Sequence, residues 1–211
     1  MGIEQEMITY QDILYSVLLE TGQWIGGLEA TAISKQQMDI IIKRELGQYS
    51  RFFPNVVTRT LPIGGQYRFS EEVDGQIPLQ VTSVAADNNA YTAGYRRGNN
   101  TIGISNWQYN APVLQLRYPS MSDRLYIVSY TVPHVYKDDV IQTIDIENYK
   151  FMSLVAARFM ITLGRSRRAF LLNDLPFQMD SDMLITEGQD LYERTMEDIR
   201  TNSSFYLAIL H

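Results

Sequence analysis

Apolar residues recur at spacings of three and four over residues 149–163 and predict one buried helix face. The positions on that face are Met152, Val155, Ala156, Phe159, Met160 and Leu163. Gly164 follows the last of them, where a glycine favours a left-handed helix C-cap. A second helix is predicted to start at Asp180 or Ser181, because either residue is a good N-cap, and Pro176 separates the two segments. The apolar positions of this second helix, which completes a helical hairpin, are Leu184, Leu191, Met196 and Ile199.

Two further helix starts near the N-terminus carry the residues of a capping box. Thr9 precedes Asp12 by three positions, and Ser34 precedes Gln37 by the same spacing. Apolar residues follow each start at helical spacing: Ile13, Leu14, Val17 and Leu18 in the first segment, and Met38, Ile41, Ile42, Leu46 and Tyr49 in the second. Pro54 ends this part of the chain, so residues 1–53 are predicted to hold two helices.

Between Val56 and Tyr136 the apolar period changes to two. The segments predicted as strands are Val56–Leu61, Gln66–Phe69, Leu79–Ala85, Ala90–Tyr95, Val113–Tyr118 and Arg124–Val132. In the last segment one face carries Tyr126, Val128, Tyr130 and Val132. Turn formers such as Gly64–Gly65 and Asp74–Gly75 separate the segments. Short strands joined by short turns are typical of an antiparallel β-sandwich or a small barrel.

The order of helices, strands and helices predicts an α+β fold. We expect a single domain over residues 1–211, in which a central antiparallel β module is flanked by helices that pack together. Its segments are the N-terminal helices at 1–53, the β module at 54–136 and the C-terminal helical hairpin at 137–211.

Composition narrows the classes of function. A formal charge of −6 argues against a protein whose main task is to coat nucleic acid. The absence of cysteine excludes disulfides and thiolate metal sites. Fourteen tyrosines favour an interaction protein, although tyrosine is also common in strands. No signal peptide is expected at the N-terminus, and the apolar run around Arg158 is too short to cross a bilayer, so we expect a soluble, intracellular protein without a membrane segment.

No pattern of catalytic or cofactor-binding residues emerges. His134 and His211 lack the neighbours that a catalytic or metal-binding histidine normally has. Acidic residues cluster at Glu71–Asp74, Asp138–Asp139 and Asp180–Asp182. The first two clusters have the context of a solvated turn or a helix N-terminus, and the third lacks the further ligand, the glycine and the distal glutamate of a calcium loop. We therefore expect no catalytic, cofactor-binding or metal-binding residues, and a protein that is not an enzyme.

Charge is unevenly distributed over the predicted hairpin. Between Lys150 and Arg168 there are five basic residues and no acid, whereas eight acids and two arginines lie between Leu171 and Arg200. One interpretation is that the two helices neutralise each other. The other is a head-to-tail oligomer, in which the basic part of one subunit meets the acidic helix of the next. The arginines from Arg165 to Arg168 suit helix-end capping, a subunit contact or a contact to DNA.

Several strings resemble the neck, or head-completion, protein family of contractile-tailed bacteriophages. They are Ile8-Thr-Tyr-Gln-Asp-Ile-Leu14, the capped helix at Ser34, Arg124-Leu-Tyr-Ile-Val-Ser-Tyr-Thr-Val-Pro133, and the C-terminal block that runs from Tyr149-Lys-Phe-Met through Gly164-Arg, Leu175-Pro-Phe177 and Glu187-Gly188 to Leu191-Tyr192-Glu193. The resemblance implies a ring below the portal that joins head to tail around a DNA channel. It also implies a homo-oligomer that contacts the portal and other neck or tail proteins, with non-specific contact to packaged DNA, located in the virion and assembled in the host cytoplasm.

The expectation from the sequence is therefore a non-enzymatic virion structural protein. Its contacts to a neighbouring subunit are assigned to Arg158, Arg165, Arg167 and Arg168. The alternatives are a baseplate or tail-terminator protein and a DNA-packaging accessory that binds through Arg165–Arg168, with a carboxylate-dependent hydrolase ranked last.

Overall fold

The computed structural model describes residues 7–22, 28, 31, 33–62, 65–70, 75–87, 101–103, 106–116, 125–141, 149–170 and 178–209. Within these ranges the chain forms four α-helices and three small antiparallel sheets, so the predicted α+β class is confirmed. The helices are α1 (Tyr10–Glu20), α2 (Lys35–Tyr49), α3 (Tyr149–Phe170) and α4 (Gln178–Ile209). The strands are β1 (Ile8–Thr9), β2 (Asn55–Pro62), β3 (Gln66–Arg68), β4 (Gln80–Asp87), β5 (Thr101–Gly103), β6 (Trp107–Asn110), β7 (Val113–Leu116), β8 (Leu125–Val132), β9 (Tyr136–Lys137) and β10 (Val140–Ile141).

The chain divides into two compact units, where the sequence predicted one domain of three segments. The helical unit combines Met1–Phe53 with His134–His211, and the β unit is Pro54–Pro133. The predicted start of the β module at residue 54 agrees with this division. Its predicted end at residue 136 does not, because β9 pairs with β10 and belongs with the helices.

Both N-terminal helices begin where their capping residues predict. The Thr9 and Asp12 side chains each bind the other's backbone amide, and Ser34 and Gln37 do the same. These reciprocal bonds satisfy amides that have no partner inside a helix. All the predicted apolar positions of α1 and α2 are buried or, for Leu14, partly buried against the core.

Helix α3 is the centre of the helical unit. The six positions predicted to form one buried face are all buried. Further buried residues on its other sides are Phe151, Leu154, Ala157 and Ile161. A helix that is apolar on most sides must be covered on most sides, and α1, α2 and α4 all pack against α3. The N-terminal and C-terminal helices therefore pack together as predicted.

The boundaries of the hairpin differ from the prediction. Helix α3 continues through Gly164 to Phe170, so Gly164 is not a C-cap. Helix α4 starts at Gln178, so Asp180 and Ser181 lie inside it rather than at its N-cap. Residues 171–177, which include Pro176, lie outside the described ranges.

The β unit contains a four-stranded sheet in the order β2-β8-β4-β5 and a three-stranded sheet in the order β3-β7-β6. Five of the six predicted strands are present, with small differences at their ends. The sixth, Ala90–Tyr95, lies outside the described residues. Strands β5 and β6 were not predicted.

Side chains from both sheets of the β unit form one hydrophobic cluster. Its buried members are Leu61, Phe69, Val81, Val84, Leu114, Leu116, Tyr126, Val128, Tyr130 and Val132. The Phe69 ring contacts the rings of Tyr67, Tyr109 and Tyr130 at centroid distances of 4.9, 6.0 and 5.0 Å. The predicted inward face of β8 is confirmed, and none of the sheets closes into a barrel within the described strands.

Candidate subunit interface

The four arginines predicted to contact a neighbouring subunit all lie on α3, but in two different environments. Arg158 is in the middle of the helix and points into the helical unit. Arg165, Arg167 and Arg168 lie near its C-terminal end, beyond Gly164, where the sequence predicted that the helix would end. Because the helix extends to Phe170, these three side chains project from helical backbone.

Arg158 binds a carboxylate of its own chain. Its Nε lies 2.7 Å from Oε1 of Glu45 on α2, and its guanidinium carbon lies 4.6 Å from the ring centre of Tyr192 on α4. The Glu45 side chain is 0% exposed and that of Arg158 is 18% exposed. A charge this deep needs a partner, so Arg158 connects α2, α3 and α4 inside the unit and presents little surface to another subunit.

Two glycines let α3 and α4 approach closely. A methyl group added at Gly164 would lie 2.6 Å from the Ser181 carbonyl oxygen and 2.7 Å from Ile185 Cγ1. A methyl group added at Gly188 would lie 2.8 Å from the Ala157 carbonyl oxygen. Real carbon atoms do not approach this closely, so both positions require glycine for packing. This role was not predicted from the sequence, because it depends on the facing helix.

The C-terminal end of α3 carries exposed positive charge. Arg165 and Arg168 are exposed and Arg167 is partly buried. Arg167 and Arg168 lie in the last turn, where basic side chains interact favourably with the helix dipole. The Arg168 side chain is 70% exposed and lies 3.7 Å from the equally exposed Asp182. An exposed pair at this distance contributes little to stability.

Helix α4 presents an acidic face, which we define as Glu187, Asp190, Glu193 and Glu197. All four side chains are exposed, and none lies within ion-pair distance of a basic group in the described part of the chain. The ion pairs between α3 and α4 in those ranges are Arg168–Asp182 and Lys150–Asp198, and the latter measures 3.0 Å. Mutual neutralisation of the two helices therefore accounts for the ends of the hairpin and leaves the acidic face in solvent.

A basic face on α2 was not recognised from the sequence. We define it as Lys43 and Arg44 on α2 together with Arg51 in the turn just after the helix, all of them exposed, with Ile40 of α2 at 59% exposure. Lys43 and Arg44 follow Ile40 by three and four positions, which is a helical period that the sequence shows. None of these basic residues belongs to the predicted subunit contact, which is confined to arginines of α3.

The acidic clusters and His134 have structural roles where they are described. In the turn between β9 and β10, Asp138 and Asp139 have positive φ, as a two-residue hairpin turn requires. Lys35 Nζ lies 2.7 Å from Asp139, and the Tyr136 hydroxyl contacts Asp139 and Asp39 at 3.1 and 2.9 Å. Burial, helped by both carboxylates, raises the pKa of Tyr136 far above its ordinary value.

His134 closes the C-terminal end of α2. Its backbone amide donates to the Ser50 hydroxyl at 3.0 Å, and its Nε2 lies 2.8 Å from the Phe53 carbonyl oxygen. Burial lowers the pKa of His134, and the hydrogen bond to Phe53 opposes this shift only in part. Glu71–Asp74 and His211 lie outside the described residues.

Within the described ranges no three histidine, cysteine, aspartate or glutamate side chains converge as they would around a metal ion. Over those same ranges no helix combines the length and the apolar character needed to cross a membrane. The sequence matches no known protein-family model and no curated protein.

Proposed function

We propose that this chain is a non-enzymatic structural subunit of a tailed-phage particle, and that it forms a ring in the neck between portal and tail around the DNA channel. The observation that carries the proposal is the separation of charge on one compact unit. The acidic face of α4 is exposed to solvent, and so are Arg165 and Arg168 at the end of α3. Opposite charges on different parts of one subunit suit a head-to-tail contact between copies.

Two further properties support this function. A net charge of −6 would let DNA pass through a ring without binding tightly, because affinity for the phosphate backbone comes from positive charge. The two sheets of the β unit share one apolar cluster, which supports the sandwich form of the predicted β module. The proposed position in the particle, between portal and tail, is based on the resemblance to neck proteins.

Among the four predicted contact residues, the arginines at the end of α3 are the ones we assign to a neighbouring subunit. Arg165 and Arg168 expose their side chains, and Arg167 lies between them. Arg158 takes a different role in this proposal, since it binds Glu45 and keeps α2 and α3 in place.

The first test is the native mass of the purified chain, alone and mixed with a portal ring. We expect a discrete ring or co-assembly on the portal. The variant Arg165→Glu/Arg167→Glu/Arg168→Glu should remain folded but lose assembly, whereas the matched Arg165→Lys/Arg167→Lys/Arg168→Lys variant keeps the charge and should assemble. Normal particles from the glutamate variant would show that these arginines are not the contact. Binding to tail-tube or baseplate proteins instead of the portal would place the chain at the tail.

A further inference from the structure

The outward side of α2 is basic in its C-terminal half. Lys43 and Arg44 are exposed there, Arg51 is exposed in the turn just after the helix, and the opposite side of the helix is buried in the core of the helical unit. Asp39, the one acidic residue of α2 outside the core, is occupied by Lys35 at 3.2 Å. Arg44 Nε lies 3.8 Å from the buried Glu45, which Arg158 also binds at 2.7 Å, so the two acids of α2 leave most of the exposed positive charge unbalanced.

The outward side of α4 is acidic. Its acidic face contains Asp190 and Glu197, which are seven positions apart and so lie on one side of the helix. Arg194 is also exposed beside them, but the four acids of this face outnumber it, so the net charge of the surface is negative. The buried residues of α4, such as Met196 and Ile199, lie on the side that faces the core.

The two faces are opposite in sign. Lys43 and Arg44 lie on α2 and Arg51 lies in the turn after it, whereas Asp190 and Glu197 are separated by about 10 Å along α4. Between Arg44 and Arg51, Gly47 leaves open space, since a methyl group there would meet nothing within 4 Å. Each face also carries one exposed apolar side chain, Ile40 on α2 and Met183 on α4, which is 60% exposed.

We propose that the basic face of α2 in one copy of the chain binds the acidic face of α4 in the next copy. Within one copy both helices bury their opposite sides in the same core, so the two faces cannot pair with each other. A contact between two different surfaces of identical subunits is heterologous, and repeated contacts of this kind close into a ring or extend as a filament. This inference deepens the ring in the proposed function and rests on it: it assigns the basic face of α2, rather than the arginines at the end of α3, as the partner of the acidic face of α4.

Charge reversal tests the contact directly. Lys43→Glu/Arg51→Glu makes the α2 face acidic, and Asp190→Lys/Glu197→Lys makes the α4 face basic. Each variant alone places like charges opposite one another, so the association constant should fall at least about 100-fold. An equimolar mixture of the two variants restores opposite charges at every contact, and we expect it to assemble alternately. Native mass spectrometry and light scattering would measure both results.

The matched control is Arg68→Glu/Lys137→Glu, which changes the net charge equally at two exposed positions outside both faces. It should assemble like the unmodified chain. Salt gives a second readout, because raising the ionic strength from about 0.1 M to about 1 M shortens the Debye length from about 10 Å to about 3 Å and should weaken assembly. Circular dichroism would establish that each variant is folded. If Lys43→Glu/Arg51→Glu does not fold, the neutral variant Lys43→Gln/Arg51→Gln is used in its place.

The inference is overturned if folded reversal variants assemble normally, if their mixture does not assemble, or if the unmodified chain stays monomeric at every salt concentration. The proposed function fails separately. A chain that forms rings through these faces but does not bind a portal would keep the inference and contradict the neck assignment.

Discussion

Helix α3 meets its two largest helical neighbours in opposite ways. Toward α4 the backbones approach until no side chain fits between them, at Gly164 and Gly188. Toward α2 the gap is filled by a long charged side chain, because Arg158 reaches the fully buried Glu45. The α3–α4 interface depends on the absence of side chains at two glycines, and the α2–α3 interface depends on a buried ion pair, although both cover the same helix.

The difference shows what gives a residue its meaning inside a helix. Gly164 has the position of a helix terminus in the sequence, and Arg158 has the character of a surface residue. Each takes its role from the facing helix. We expect the two interfaces to respond to opposite kinds of change: the α4 side to added volume, and the α2 side to lost charge.

The largest effect is expected on the α2 side. Arg158→Met keeps the apolar part of the side chain but removes the closer cation of the buried Glu45, and only Arg44, at 3.8 Å, remains. This change should lower the free energy of unfolding by about 3 kcal/mol. Arg165→Met is the control, because the same change at an exposed position of α3 should cost no more than about 0.5 kcal/mol. Urea denaturation would measure both, and equal losses would show that the buried pair has no special role.

A double variant sharpens this prediction. Glu45→Leu/Arg158→Leu removes both charges at once and should recover most of the lost stability, since apolar residues often replace a buried ion pair without loss. Failure to recover would mean that the guanidinium contributes mainly through its contact with Tyr192.

The α4 side should respond to a single methyl group. Gly188→Ala places a carbon against the Ala157 carbonyl and should cost about 1–3 kcal/mol. Gly47→Ala makes the same change in α2 where space is open, so the higher helix propensity of alanine should stabilise by up to about 1 kcal/mol. Thermal unfolding of the two variants should give shifts of opposite sign, and a shared sign would contradict the close contact of α3 with α4.

The smallest effect that we expect is a change of the free energy of unfolding with pH, caused by a histidine at the C-terminal end of α2. His134, at the end of α2, has a folded-state pKa below its ordinary 6.5 because it is buried. The unfolded chain therefore takes up a proton first as pH falls below about 6.5, so the free energy of unfolding decreases from there until the folded pKa is reached. His134→Gln cannot titrate and should show a flatter profile between pH 7 and 5 in urea titrations. Identical profiles would mean that other groups dominate this range.

What could be predicted from the sequence was local. Both capping boxes, the buried faces of the helices and the inward face of β8 follow from residues within a few positions of one another. The missed features depend on partners far along the chain. Glu45 and Arg158 are 113 positions apart, and nothing near Gly188 in the sequence indicates which helix it contacts.

The candidate interface also combines local and long-range features. The sequence shows that charged residues are concentrated on the hairpin, but it does not show which of them are buried, so Arg158 was predicted to act together with Arg165, Arg167 and Arg168. Lys43 and Arg44 of α2 follow Ile40 at helical spacing in the sequence. The structure adds that the apolar side of this helix is covered by the core and that its basic side is exposed.

The β unit interrupts the helical unit, and its first and last strands begin and end side by side, since Asn55 pairs with Val132. This has a consequence for the order of folding. Contacts of the helical unit such as Ile8 with Ile141 must otherwise close a loop that includes about 80 unstructured residues. Once β2 and β8 have paired, the loop between Ile8 and Ile141 shortens from about 130 to about 55 residues, which lowers the entropic cost of closure by roughly 0.8 kcal/mol. We therefore expect the β unit to fold first, and the helices to assemble on a chain it has already shortened.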